Sequence, residues 1–139
     1  MAESLSGGCL CGAVRYDCKG APMVVGHCHC EACRKSSGTG HCTHMGIAED
    51  SFTISGEVRF YDRAADSGNI ISRGFCPNCG SPVYSKNAGV PGMVFPRVSS
   101  LDDPETVKPE IVVYASRAPS WDLVDPALQA FPEMPEKLT

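Results

Sequence analysis

Phe75-Cys76-Pro77-Asn78-Cys79-Gly80 decides how this chain folds. Two cysteines separated by Pro-Asn describe a tight turn that points both sulfurs at one centre. The glycine behind them permits a positive φ and frees backbone N–H groups to meet the thiolates. Such a turn is half of a tetrahedral metal site. Gly7-Gly8-Cys9-Leu10-Cys11-Gly12 offers the other half, because its glycines allow a similarly sharp approach. Cys9, Cys11, Cys76 and Cys79 together would form a closed four-thiolate site tying the start of the chain to residue 79. A redox Cys-x-x-Cys motif is the competing account of Cys76 and Cys79, although no βαβ pattern surrounds them. For Cys9 and Cys11 the competing account is a pair of ordinary buried thiols.

Between these halves lies a different cluster, His27-Cys28-His29-Cys30-Glu31-Ala32-Cys33. Cys28, Cys30 and Cys33 come from one loop leading into a helical turn. Three protein ligands leave a fourth position for water, substrate or another side chain, which is the mark of a reactive zinc. His27, His29, His41, His44 and Cys42 are the local candidates to close it. His29 stands between two ligands and is expected to point away, so His41, Cys42 and His44 are the better closers. A closed structural site, or a thiol group that senses oxidants by releasing zinc, are the other readings of this cluster. Cys18 and Cys42 stand apart and read as packed, inert thiols.

Composition explains why metal is needed. The chain has 139 residues, one domain's worth spanning 1–139, and nine are cysteine. Leu, Ile, Val and Phe total only 28 residues, a lean core for this length. An odd number of cysteines and an N-terminus, MAESLSGG, without signal-peptide features favour metal ligation in the reducing cytoplasm over a disulfide framework. Twelve basic against sixteen acidic residues give a net charge of −4 with no basic stripe, which argues against a nucleic-acid partner. No apolar run is long enough for a membrane span. The oligomeric state is open, a homo-oligomer included.

Short β-prone runs punctuated by Gly and Pro make the class mainly β. They fall at 13–18, 23–26, 52–55, 58–61, 69–74, 83–86, 92–98 and 110–115. Ser55-Gly56-Glu57 reads as a hairpin turn between two of them. Helix is expected only at 30–36 and 125–130.

Three stretches carry a resemblance. They are Gly7-Gly8-Cys9-Leu10-Cys11-Gly12-Ala13-Val14-Arg15-Tyr16, His27 through Gly38, and Phe75-Cys76-Pro77-Asn78-Cys79-Gly80-Ser81. In order, spacing and flanks of all seven cysteines the chain resembles the glutathione-dependent formaldehyde-activating enzyme family, which includes centromere protein V. Val98–Pro104 and Trp121 extend the likeness more weakly. The resemblance implies a tent-like fold of stacked short antiparallel sheets and two zinc ions per chain. One is structural, on Cys9, Cys11, Cys76 and Cys79; the second is reactive, on Cys28, Cys30 and Cys33. It also implies a carbon–sulfur lyase or synthase chemistry, in the manner of an S-(hydroxymethyl)glutathione synthase, that joins glutathione or a similar thiol to formaldehyde. Arg34 and Lys35, directly after Cys33, are candidates to meet the carboxylates of such a thiol; a solvated charge pair is the other reading. The centromeric relative keeps open a zinc module that only binds a partner. Cys18, Cys42, His41 and His44 lie outside the shared pattern.

Overall fold

The computed structural model describes residues 5–135. Their strands are β1 (Leu5–Gly8), β2 (Arg15–Cys18), β3 (Val24–Cys28), β4 (Cys42–Ala48), β5 (Phe52–Ser55), β6 (Arg59–Ala64), β7 (Ile70–Phe75), β8 (Pro82–Asn87), β9 (Met93–Pro96), β10 (Ile111–Val113) and β11 (Gln129–Ala130). One helix, α1 (Glu31–Ser37), follows β3. The expected mainly β class of stacked sheets is what the chain forms. No helix among the described residues is long and apolar enough to cross a membrane.

Two sheets share the strands. The smaller runs β1-β2-β5 and the larger β11-β10-β3-β4-β9-β8-β7-β6. Pairing is antiparallel except that β10 lies parallel to both β3 and β11. The core sits between the sheets: Tyr16 and Cys18 of β2 pack with Val25, Met45, Ile47, Val83, Tyr84 and Val94 of the larger sheet. Stacked rings carry the contact across, Tyr16 to Phe52 at 5.3 Å and Phe52 to Tyr84 at 4.9 Å between centroids.

Three local expectations differ from the structure. Ser55-Gly56-Glu57 closes no hairpin, because β5 pairs with β2 whereas β6 pairs with β7. The turn instead carries the chain from one sheet to the other, and Gly56 takes φ +93° with its α-carbon against the Ala13 carbonyl, where a side chain has no room. Residues 125–130 form a turn and β11 rather than a helix. There the Asp125 side chain accepts the Ala127 N–H at 2.9 Å, and the segment is drawn into pairing with β10. β4 was not foreseen at all: its Cys-Thr-His-Met-Gly sequence lacks a clean alternation, and its neighbours β3 and β9 hold it.

Candidate metal centres

Both hairpin loops that bear the outer cysteines end on the same point. Cys9 and Cys11 lie between β1 and β2, Cys76 and Cys79 between β7 and β8, so the four sulfurs meet where the smaller sheet abuts the larger. The two loops solve the turn alike, with Gly12 at φ +84° and Gly80 at φ +77°. Gly80 donates its N–H to the Cys76 carbonyl at 2.8 Å and Gly12 to that of Cys9 at 3.2 Å. The four sulfurs lie within 4.8 Å of one another. Cys9 and Cys11 are 3.6 Å apart and Cys11 and Cys76 3.8 Å. A tetrahedral ion at the ordinary zinc–thiolate length of about 2.3 Å requires a sulfur–sulfur edge of about 3.8 Å. The donor set therefore fits such an ion. Outer partners are in place as well: the Val14 N–H reaches Cys9 Sγ at 3.2 Å, and Asn78 gives its N–H to Cys76 and its side-chain amide to Cys11.

The second trio sits at the join of β3 and α1. Cys28 ends the strand; Cys30 caps the helix, its Sγ accepting the Cys33 N–H at 3.3 Å; Cys33 is the buried residue of the first turn. Gly38 in the left-handed conformation ends the helix. The sulfurs of Cys28, Cys30 and Cys33 again lie within 4.8 Å of one another. Of the three thiols, Cys30 is the one whose surroundings favour the ionised form. Thiol hydrogen bonds from Cys28 and Cys33 hold its pKa far below the usual range and Arg73 adds to the effect, while Cys28 and Cys33 are pushed up as the proton-keeping partners.

No further side chain among the described residues joins all three sulfurs in one donor group. Of the expected closers, His41 is turned elsewhere. Its Nδ1 meets Asp122 Oδ2 at 2.7 Å, and His29 Nε2 meets the same oxygen at 3.0 Å. His29 thus points away from its flanking cysteines as expected, and Asp122 clamps both rings. Cys42 and His44 do approach, but against Cys33 alone. Cys18 is fully buried in the core, where burial pushes its thiol up to about 11, the state of an inert packed group.

A cavity of about 220 Å³ adjoins α1, lined by Ala32, Lys35, Ser36, Tyr61, Arg63 and Arg73. Lys35 is on its wall; Arg34 is not. Arg63 and Arg73 were missed by sequence reasoning, since ten residues separate them. Their signal lies in the β6–β7 register, which pairs Tyr61 with Arg73 and so puts Tyr61, Arg63 and Arg73 on one face of the hairpin. Asp122 carried no local signal at all.

Comparison with known proteins agrees with the geometry. The model of the family described as "Glutathione-dependent formaldehyde-activating enzyme" matches residues 4–117. A Halomonas elongata protein named "Putative glutathione-dependent formaldehyde-activating enzyme" is 28% identical over 123 residues, covering 84% of this chain and 78% of that one. A Rhodobacter sphaeroides protein of known crystal structure shares the fold with a TM-score of 0.58 at 19% identity, over 75% of this chain and 91% of the other.

Proposed function

The chain belongs to the glutathione-dependent formaldehyde-activating enzyme family, and on that premise we propose that it is a zinc enzyme of the carbon–sulfur lyase type. In this reading it joins a glutathione-like thiol to formaldehyde or a similar small aldehyde. Cys28, Cys30 and Cys33 hold the reactive zinc; Cys9, Cys11, Cys76 and Cys79 hold a structural one. The observation that carries the reading is the three-sulfur donor group, which no fourth side chain joins among the described residues, at the start of the same helix that walls a cavity with Lys35, Arg63 and Arg73. A cytoplasmic setting suits nine unpaired cysteines.

Zinc at the trio supplies the positive charge that keeps a substrate thiol ionised near neutral pH. The chain's own part is recognition and placement. Lys35, Arg63 and Arg73 offer three cations to the carboxylates of the thiol, with Arg63 already tethered to Glu31 of α1 at 3.4 Å. Sulfur bonds to the aldehyde carbon, the carbonyl π bond breaks, and the thiol proton ends on the former carbonyl oxygen, so the step balances without a redox partner. An acidified thiol is a duller nucleophile, because nucleophilicity falls with pKa. Holding thiol and aldehyde together is therefore the larger lever, and the cationic wall supplies the hold.

Calorimetry of the zinc-loaded chain with glutathione tests this. Binding is expected below about 1 mM, lost in Cys30→Ser and absent for a glutathione analogue whose thiol is replaced by methyl. A wild-type chain that ignores glutathione and other small thiols overturns the enzyme reading in favour of a binding module. Zinc release with disulfide formation under mild peroxide would favour a sensor.

A further inference from the structure

Cys33 belongs to two donor groups at once. Its sulfur lies within 4.8 Å of those of Cys28 and Cys30, and also within 4.8 Å of the Cys42 sulfur and a ring nitrogen of His44. Cys42 and His44 are two residues apart on β4, so their side chains leave the same face of the strand, and α1 brings Cys33 to them. The separation from Cys33 Sγ to His44 Nε2 is 3.5 Å. A tetrahedral ion at about 2.3 Å from sulfur and about 2.05 Å from nitrogen sets these two donors about 3.5 Å apart. That pair already has the spacing of ligands on one ion.

The surroundings point the same way. Cys33 and Cys42 are buried. The His44 ring has no oxygen partner among the described residues: Nε2 faces the Cys33 sulfur and Nδ1 is buried without a hydrogen bond. Arg97 is 4% exposed and makes no ion pair among the described residues; its guanidinium donates to Ser36 Oγ at 3.0 Å, and that oxygen lies 3.8 Å from Cys42 Sγ. A buried cation without a carboxylate suits a neighbourhood of sulfur donors, and Cys33 and Cys42 are the ones this pocket places near it. A thiolate is the form a metal requires.

We propose that Cys33, Cys42 and His44 bind a further divalent ion of the zinc class, joined through the Cys33 thiolate to the ion on Cys28 and Cys30. The chain then carries three metals rather than two. Only the bridge rests on the zinc reading of the Cys28, Cys30 and Cys33 trio. Cys42 and His44 stand outside the seven-cysteine pattern, so this ion is a property of the chain and not of that pattern.

Native mass spectrometry of the full chain, reconstituted in excess zinc and desalted, counts the ions. Three are expected in the wild type, and two in Cys42→Ser, in His44→Ala and in the Cys28→Ser/Cys30→Ser double variant. A wild-type count of two that stays at two in Cys42→Ser and His44→Ala overturns the proposal, whereas a count of two that falls to one in both leaves the new site standing and sinks the reading of the trio. A third ion that survives both Cys42→Ser and His44→Ala overturns it too. A double variant that keeps all three ions sinks the reading of the reactive trio and leaves the new site standing. Cobalt substitution of the wild type gives a measurement free of any folding defect. A bridging thiolate couples two of the three spins and lowers the magnetic moment per chain, whereas the moment of three independent ions excludes the bridge.

Discussion

Cys76→Ser separates a metal staple from an ordinary buried thiol. Cys76 is fully buried, 3.8 Å from the Cys11 sulfur across the join of the two sheets. A serine keeps the shape and the N–H contact from Asn78 but replaces the thiolate with a neutral hydroxyl, a poor ligand. A structural zinc site contributes on the order of 10–16 kcal/mol of apparent binding free energy at neutral pH, while a domain's whole net stability is about 5–15 kcal/mol. Losing one of four ligands and with it a third of the binding energy costs about 3–5 kcal/mol, most of a margin at the lower end of that range. With each kcal/mol shifting the midpoint by roughly 2–8 °C at this size, the fall is about 6–40 °C, or the chain is unfolded outright where the margin is smallest. Cys18→Ala is the matched control: equally buried, outside both metal groups, and expected to cost about 1–3 kcal/mol as a packing defect. Thermal unfolding followed by circular dichroism, with zinc and with a strong chelator, reads both. The chelator should lower the wild type by much more than it lowers Cys76→Ser, in which only the metals on Cys28, Cys30, Cys33, Cys42 and His44 are left to remove. A Cys76→Ser midpoint no lower than that of Cys18→Ala would refute the staple, as would a wild type indifferent to the chelator.

Other outcomes follow from neighbouring residues. Arg73→Gln, and more so Arg63→Gln/Arg73→Gln, should weaken glutathione binding about tenfold per cation lost while leaving metal content unchanged, as read by calorimetry and elemental analysis. Burial pushes the Tyr16 phenol up to about 12. The unfolded chain loses this proton near pH 10 and the folded chain keeps it, so stability present below about pH 10 declines by about 2–3 kcal/mol toward pH 12. Tyr16→Phe should flatten that alkaline slope in denaturant titrations, even though it loses the hydrogen bond to Ser100 at every pH. Asp122→Ala deprives the buried His29 of its hydrogen-bond partner and should cost about 1–3 kcal/mol in chemical denaturation, with the four-cysteine site still loaded.

Much of this molecule is legible along the chain because its decisive contacts are local turns. Cys-Pro-Asn-Cys-Gly and Cys-Leu-Cys-Gly each dictate a loop that aims two sulfurs inward, and only their mutual pairing needs the fold. Cys28, Cys30 and Cys33 are likewise set by one strand end and one helical turn. The failures have a common cause. Ser55-Gly56-Glu57 is a sound turn, but which strands flank it as partners is a matter of long-range pairing. β4 depends on strands on either side of it rather than on its own alternation. Asp122 finds His29 and His41 across some eighty to ninety residues, a distance over which spacing carries no information.

What the sequence by itself determined is the set of thiols and their division into a four and a three, since backbone geometry within a few residues fixes where a cysteine can point. Only the tertiary structure decided what surrounds them. The β6–β7 register sets Arg63 and Arg73 on the wall of a cavity at α1, the Asp122 clamp takes His41 away from Cys28, Cys30 and Cys33, and the passage of α1 over β4 sets Cys33 against Cys42 and His44. Those are contacts between elements, made by packing and strand pairing, and no short stretch of chain encodes them.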